Sequence, residues 1–204
     1  IYDIHTHIYD IPFGDLLLWG VDELLTYHYL VAEVFRQNPV DYDTFWSMSK
    51  KEQAEFIWQA LFIDNSPISE SCRGVLTSLK ELGIDVEKRD LDSIREYFNN
   101  TTIEEYVETV FDTANVEGVV MTNNPFDDAE RPVWENGVDL DSRFKAALRM
   151  DPILMDWENA AKTMQEWEYD VKGDLSGKTI KEIIRFLDEW TDRMSALYMA
   201  VSLP

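Results

Sequence analysis

The chain has 204 residues, 45% of them hydrophobic, and a net charge of −22 from 18 basic against 40 acidic side chains. One domain of ordinary size with a sizeable core fits those totals, and seven Trp, nine Tyr and ten Phe exclude a disordered chain. So few basic residues, none of them clustered, exclude nucleic acid and anionic membrane surfaces as partners. A small anionic substrate would need a local cationic pocket to hold it against the overall field.

Cys72 is the single cysteine, which rules out an internal disulfide and points to a reducing, cytoplasmic setting. The apolar start is short, is interrupted by Asp and His, and lacks a basic leader, so it does not read as a signal peptide. No apolar run approaches the ~20 residues of a membrane helix. The chain begins at Ile1 without a methionine and stops just after the apolar run "LYMAVSLP", which reads as part of a longer chain.

Residues Ile1 to Ile4 are β-branched and aromatic and predict a buried strand. "PFGD" then breaks the chain. From about Val21 to Arg36 apolar residues recur at spacings of 3 and 4, predicting one helix. Asp41 or Asp43 can cap a helix over "DTFWSMS". Ser49 can cap "KKEQAEFIWQALF", with Gln53 near the third helical position. "SPISESCRGVLTSLKELG", ended by Gly83, "DLDSIREYF" and "TIEEYVETVFDTAN" predict three more helices, so residues 14–114 read as wholly helical.

The pattern then changes. "EGVVMT" at 117–122 predicts a strand closed by "NNPFDD", and "FKAALRM" at 144–150 another, closed by Asp151-Pro152. "ILMDWENAAKTMQEW" and "TIKEIIRFLDEWTDRM" predict amphipathic helices, and "LYMAVS" at 197–202 a fourth strand. Apolar strands separated by helices predict a parallel sheet buried on both faces. The order is that of half a (β/α)₈ barrel or of a small doubly wound sheet. On the barrel reading, residues 1–13 and 115–204 supply strands 1–4 with their helices, and 14–114 form a helical insertion.

Two of the three histidines stand in "DIHTH". Side chains at i and i+2 of a strand share a face, so His5 and His7 would lie side by side with Asp3 below them. That suits two ligands of one metal ion, at the strand end where barrel active sites gather. Two polar residues that merely end a strand remain the alternative. His28 and Tyr29 in "LLTYHYLVAE" are adjacent on a helix and diverge by about 100°, and composition alone favours Tyr27 and Tyr29 as core. Arg149, at the tip of the third strand, could grip a carboxylate with two hydrogen bonds or simply pair with Asp151. Thr122, Asn123 and Asn124 could bind hydroxyls or form the turn before Pro125. The acid-rich "PFDDAERPVWENGVDLD" lacks calcium-loop spacing and reads as a solvated loop. No glycine-rich phosphate loop, nucleophile elbow or cysteine metal motif is present.

"DIHTH" at the end of the first strand resembles the metal motif of the amidohydrolase superfamily. "DLLLWGVDELLTYHYLVAEVFR" and "RFKAALRMDP" narrow the resemblance to the uronate isomerase family, in particular its bacillus-type members, over the whole chain. The family interconverts aldose and ketose hexuronates, glucuronate with fructuronate and galacturonate with tagaturonate. The resemblance implies a TIM-type barrel. It implies that His5 and His7 are strand-1 ligands of one divalent metal ion, normally zinc. It implies that His28 and Tyr29 are a catalytic and substrate-binding pair on an inserted helix, and that Arg149 contacts the substrate. The family's further site residues come from strands 5–8, beyond the fourth strand read here. The resemblance therefore implies about another 200 residues, on a barrel of ~250 plus the insertion. It also implies that residues 1–204 alone are inactive and prone to aggregate at their open sheet edges. A homo-oligomer is compatible with all of this.

Two other readings stand beside it. A hydrolase of the same superfamily would cleave a lactone, ester or amide with a metal-bound hydroxide, but "LYMAVSLP" lacks the strand-4 lysine of the two-metal version. An acidic helical binding protein would take up no metal.

Overall fold

The computed structural model describes residues 1–38 and 40–202, so the last two residues of "LYMAVSLP" lie outside the described residues. The chain forms two compact units. One comprises Ile1–Leu17 and the chain from Asn115 onward, the other Leu18–Ala114.

The first unit is an α/β layer. Its strands are β1 (Tyr2–Thr6), β2 (Gly118–Asn123), β3 (Phe144–Arg149) and β4 (Tyr198–Ala200). They lie in the order β1-β2-β3-β4 and every neighbouring pair is parallel. The sheet curls so far that the Tyr198 hydroxyl on β4 donates to the Ile4 carbonyl on β1. This is the geometry of a partial TIM-type barrel, with parallel strands in sequential order joined by helices.

The expectation of burial on both faces holds for the middle of the sheet and fails at its edges. Every residue of β2 is buried, and β3 is buried except at Lys145 and Arg149, which are partly covered. In contrast, Ile1 and Ile4 are 73% and 68% exposed, and Leu197 and Met199 are also exposed. The reason is topological: β1 and β4 each pair with one strand only, so their outer sides have no neighbour among the described residues. On the covered face, α11 (Gly177–Met194) buries Phe186, Trp190 and Met194 and packs on β3.

The predicted helix over 153–167 is two helices, α9 (Asp151–Met155) and α10 (Trp157–Glu166), as numbered in the chain. Asp156 separates them at φ −144° and ψ 58°. It is the residue before α10, and its carboxylate accepts the Asn159 side-chain amide at 2.8 Å rather than a backbone N–H of the helix.

The second unit contains only helices among its described residues. Its α-helices are α1 (Val21–Leu25), α2 (His28–Gln37), α3 (Tyr42–Ser47), α4 (Lys50–Trp58), α5 (Glu70–Glu81), α6 (Leu91–Asn99) and α7 (Ile103–Ala114), with shorter helical turns over Gln59–Ile63 and Val86–Lys88. The last helix of the first unit before α9 is α8 (Arg131–Glu135). Leu25, Val34, Phe45, Ile57 and Leu79 are wholly buried in one helical core.

The helix starts follow their caps: the side chains of Asp41, Ser49, Ser69 and Asp90 accept backbone N–H groups of α3, α4, α5 and α6. At Ser49 the capping box is closed by Glu52, not Gln53. Gln53 is instead buried, and its side-chain amide donates to the Phe45 carbonyl at 3.2 Å. Gly83 takes φ +81° after α5, the left-handed turn a glycine supplies most readily. Arg95 on α6 ties three segments together through Asp22 at 2.9 Å and Glu55 at 2.9 Å.

The helix expected from Val21 to Arg36 is broken. The Thr26 hydroxyl donates back to the Asp22 carbonyl at 2.7 Å, and Tyr27 turns to an extended backbone, φ −65° and ψ 143°. Apolar spacing survives this break in phase, so periodicity alone did not reveal it.

Candidate active site

At the end of β1 the strand pairing with β2 slips: Asp3 faces Val119 but Thr6 faces Met121. Such an irregularity re-aims side chains without ending the sheet. His5 lies in the slipped stretch and His7 just past the strand, yet their rings are neighbours, 5.1 Å apart at 88°. Thr6 between them is buried. Its carbonyl accepts the Thr122 hydroxyl at 3.1 Å, and its own hydroxyl accepts the Ile8 N–H at 3.2 Å. The Asp3 carboxylate accepts the backbone N–H of His5 at 3.0 Å, so it fixes the strand rather than orienting an imidazole through that contact.

Among the described residues no group of three or more His, Cys, Asp and Glu side chains is placed to hold a metal ion. Two exposed imidazoles side by side are a chemically suitable donor pair for zinc, and two donors alone fall short of its usual four ligands.

Arg149 ends β3. Its Nε donates to Asp151 Oδ2 at 2.9 Å and its Nη2 to the Ser202 hydroxyl at 3.1 Å. Asp151 Oδ1 takes the Ser202 N–H at 2.7 Å, so this carboxylate joins the end of β3 to the chain after β4. The hydrogen bond from Arg149 holds the Asp151 carboxyl below the usual range, and the Arg149 guanidinium is raised by the same contact.

The remaining strand-end residues serve the fold. Thr122 clamps β2 to β1, and the Asn124 carboxamide oxygen accepts the Phe126 N–H at 3.2 Å, forming the turn. Asn123 is wholly buried. Its amide stands beside Glu130 and helps hold that carboxyl down, without a hydrogen bond of ordinary geometry.

Glu130 lies in the segment whose acid-rich sequence predicts a solvated loop, and the structure buries it. It is 1% exposed. Burial pushes its carboxyl up, opposed by the donors around it. Oε1 accepts the Trp134 indole N–H at 2.9 Å, and Oε2 accepts the Asn124 N–H at 2.9 Å and the Tyr9 hydroxyl at 3.2 Å. Burial raises the Tyr9 phenol, and so does the neighbouring Glu130 charge, while Arg149 lowers it. The available signal was a Glu four residues before a Trp at a proline-started helix, which places both on one face.

In the helical unit, Tyr27, His28 and Tyr29 cluster at the start of α2. The His28 ring lies 4.1 Å from Tyr29 and 4.3 Å from Tyr27. Tyr29 is 62% exposed, so it is not core. The helix break puts His28 and Tyr29 on a first turn, where neighbouring side chains are not covered by a preceding one. The structure thus brings His5 together with His7, and His28 together with Tyr29.

No family model matches the chain, and no curated protein does. Among solved structures, a uronate isomerase from Bacillus halodurans C-125 superposes with a TM-score of 0.96 at 54% sequence identity. The match covers 100% of this chain and 48% of that one, so the chain spans about half the length of its structural relative.

Proposed function

The chain belongs to the uronate isomerase family, and we propose that it contributes to a hexuronate isomerase that converts glucuronate to fructuronate and galacturonate to tagaturonate. The observation that carries this reading is identity of 54% sustained over 100% of the chain to a uronate isomerase. On this reading the four strands are the first half of a (β/α)₈ barrel, and the helical unit is an insertion between strands 1 and 2. The setting is cytoplasmic sugar-acid catabolism.

The reaction moves a proton from C2 to C1 through an enediol, and negative charge develops on the sugar oxygens. His5 and His7 would hold a divalent metal, most simply zinc, with ligands from elsewhere in the protein. When bound, that ion supplies Lewis-acid stabilisation of the oxygens. Arg149 binds the substrate carboxylate: with Nε engaged by Asp151, the Nη edge can take the carboxylate by exchanging the Ser202 contact. A planar fork suits that two-point grip. Tyr29 holds and returns a proton at a substrate oxygen as carbonyl and hydroxyl exchange. The His28 ring packed on it at 4.1 Å limits how the phenol can turn. Arg149 also offsets a field of −22 that otherwise repels an anion.

The test is elemental analysis of the full-length protein together with glucuronate conversion followed by NMR. About one divalent metal per chain and net isomerisation are expected, with the metal lost in His5→Ala and in His7→Ala. Full metal retention in the double alanine variant, or no isomerisation of either hexuronate, overturns the reading.

A further inference from the structure

Glu130 gathers donors from three separate segments: the loop after β1, the end of β2 and α8. Two of them, the Asn124 amide and the Trp134 indole, already give each carboxylate oxygen a partner. The third, Tyr9, is a tie across 121 residues of sequence, two residues beyond His7. Both ends of that side chain are anchored. The Tyr9 ring packs on Phe13 at 5.3 Å, Phe13 packs on Trp134 at 5.2 Å, and the hydroxyl lies 3.2 Å from Glu130 Oε2 and 3.3 Å from the Thr122 carbonyl, so its one proton is shared between the carboxylate and the end of β2.

Residues 7–9 lie outside the strand. Their position is fixed on one side by Thr6, bonded to Thr122, and on the other by Tyr9, bonded to Glu130. We infer that Glu130 is a positioning residue which, through the Tyr9 hydroxyl, fixes the turn carrying His7 and so sets how tightly the two-histidine site holds a divalent metal. This rests on the metal reading above. A partner that orients a ligand from outside the coordination sphere is worth about 10- to 100-fold in metal affinity.

The test is zinc affinity of the metal-free, full-length protein, measured by competition with a chromophoric chelator. Tyr9→Phe removes one hydroxyl and keeps the ring packing, so it remains informative if Glu130→Gln fails to fold. Phe186→Leu, a core change in α11 that removes neither partner of the Tyr9–Glu130 hydrogen bond, controls for general loss of stability. Tyr9→Phe and Glu130→Gln are each expected to weaken zinc binding about 10- to 100-fold. The double variant should be no weaker than the worse single one, because both cut the same tie. Phe186→Leu should bind zinc like the wild type. Wild-type affinity in Tyr9→Phe, or losses that multiply in the double variant, overturns the inference. A wild-type protein that takes up no zinc overturns the metal reading itself and this inference with it.

Discussion

Arg149 and Asp151 meet at the end of β3 with Nε 2.9 Å from Oδ2, and the other oxygen of the same carboxylate takes the Ser202 N–H at 2.7 Å. The guanidinium is therefore pre-aimed, and its planar geometry is what the pairing uses. Arg149→Lys keeps the charge but cannot reproduce that fork. We expect kcat/KM for glucuronate to fall at least ~10-fold, about 1.4 kcal/mol, with zinc content unchanged. Wild-type kinetics in the lysine variant would make Arg149 an ordinary strand-end residue.

The same pair sets a pH dependence. Asp151 is lowered in the folded state, first by the Arg149 hydrogen bond and further by the Ser202 N–H. A depressed carboxyl stabilises the fold above its unfolded pKa, near 3.9. That contribution is lost as pH falls through the lower folded value. The stability difference between wild type and Asp151→Asn should therefore be constant from pH 7 to about 5 and shrink below about 4. Urea unfolding at several pH values measures it, and a difference that grows on acidification would contradict the pairing.

Tyr29 stands exposed on the first turn of α2, against His28. Tyr29→Phe removes only the hydroxyl and keeps the ring contact. If the phenol moves a proton at a substrate oxygen, kcat should fall by about 100-fold while metal content and the unfolding midpoint stay put. An unchanged kcat assigns the proton transfer elsewhere.

Within the helical unit, Ser69 does two things. It caps α5 by accepting the Cys72 N–H at 3.2 Å and donates to Glu33 on α2 at 2.7 Å. Ser69→Ala should cost about 1 kcal/mol for the cap and a further ~1.5 kcal/mol for the hydrogen bond to a carboxylate. Ser69→Asp keeps the cap but sets a second negative charge against Glu33, so it should not recover wild-type stability. Chemical denaturation midpoints distinguish the two.

These contacts also mark what the sequence could reveal. Strand positions, the parallel order and the caps at Ser49 and Asp41 follow from rules that act over a few residues, and their placement agrees with the structure. The neighbouring of His5 and His7 follows from strand alternation, although the slip in β1 and its end at Thr6, one residue short of His7, could have spoiled it. The break at Thr26 and Tyr27 was hidden, because a hydroxyl folding back on Asp22 leaves the apolar spacing intact. Glu130 was hidden for a different reason. Its partner Tyr9 lies 121 residues away, and the spacing to Trp134 in "DDAERPVW" marks a shared helix face without telling whether that face is buried.

The clamp between Thr6 and Thr122 spans 116 residues, and that span has a consequence for the order in which the molecule assembles. Pairing β1 with β2 across a flexible chain of that length carries the full entropy of closing a long loop. The intervening segment, however, builds its own core around Phe45, Ile57 and Leu79 from contacts between nearby helices. Local contacts of this kind form faster than distant strand pairs. Once they have formed, closure no longer involves a floppy chain. The amides of α4 and α5 should thus gain protection in pulse-labelled hydrogen exchange before those of β1. Loosening the helical core with Ile57→Ala should delay the docking of β1, although Ile57 belongs to a different unit from the strand.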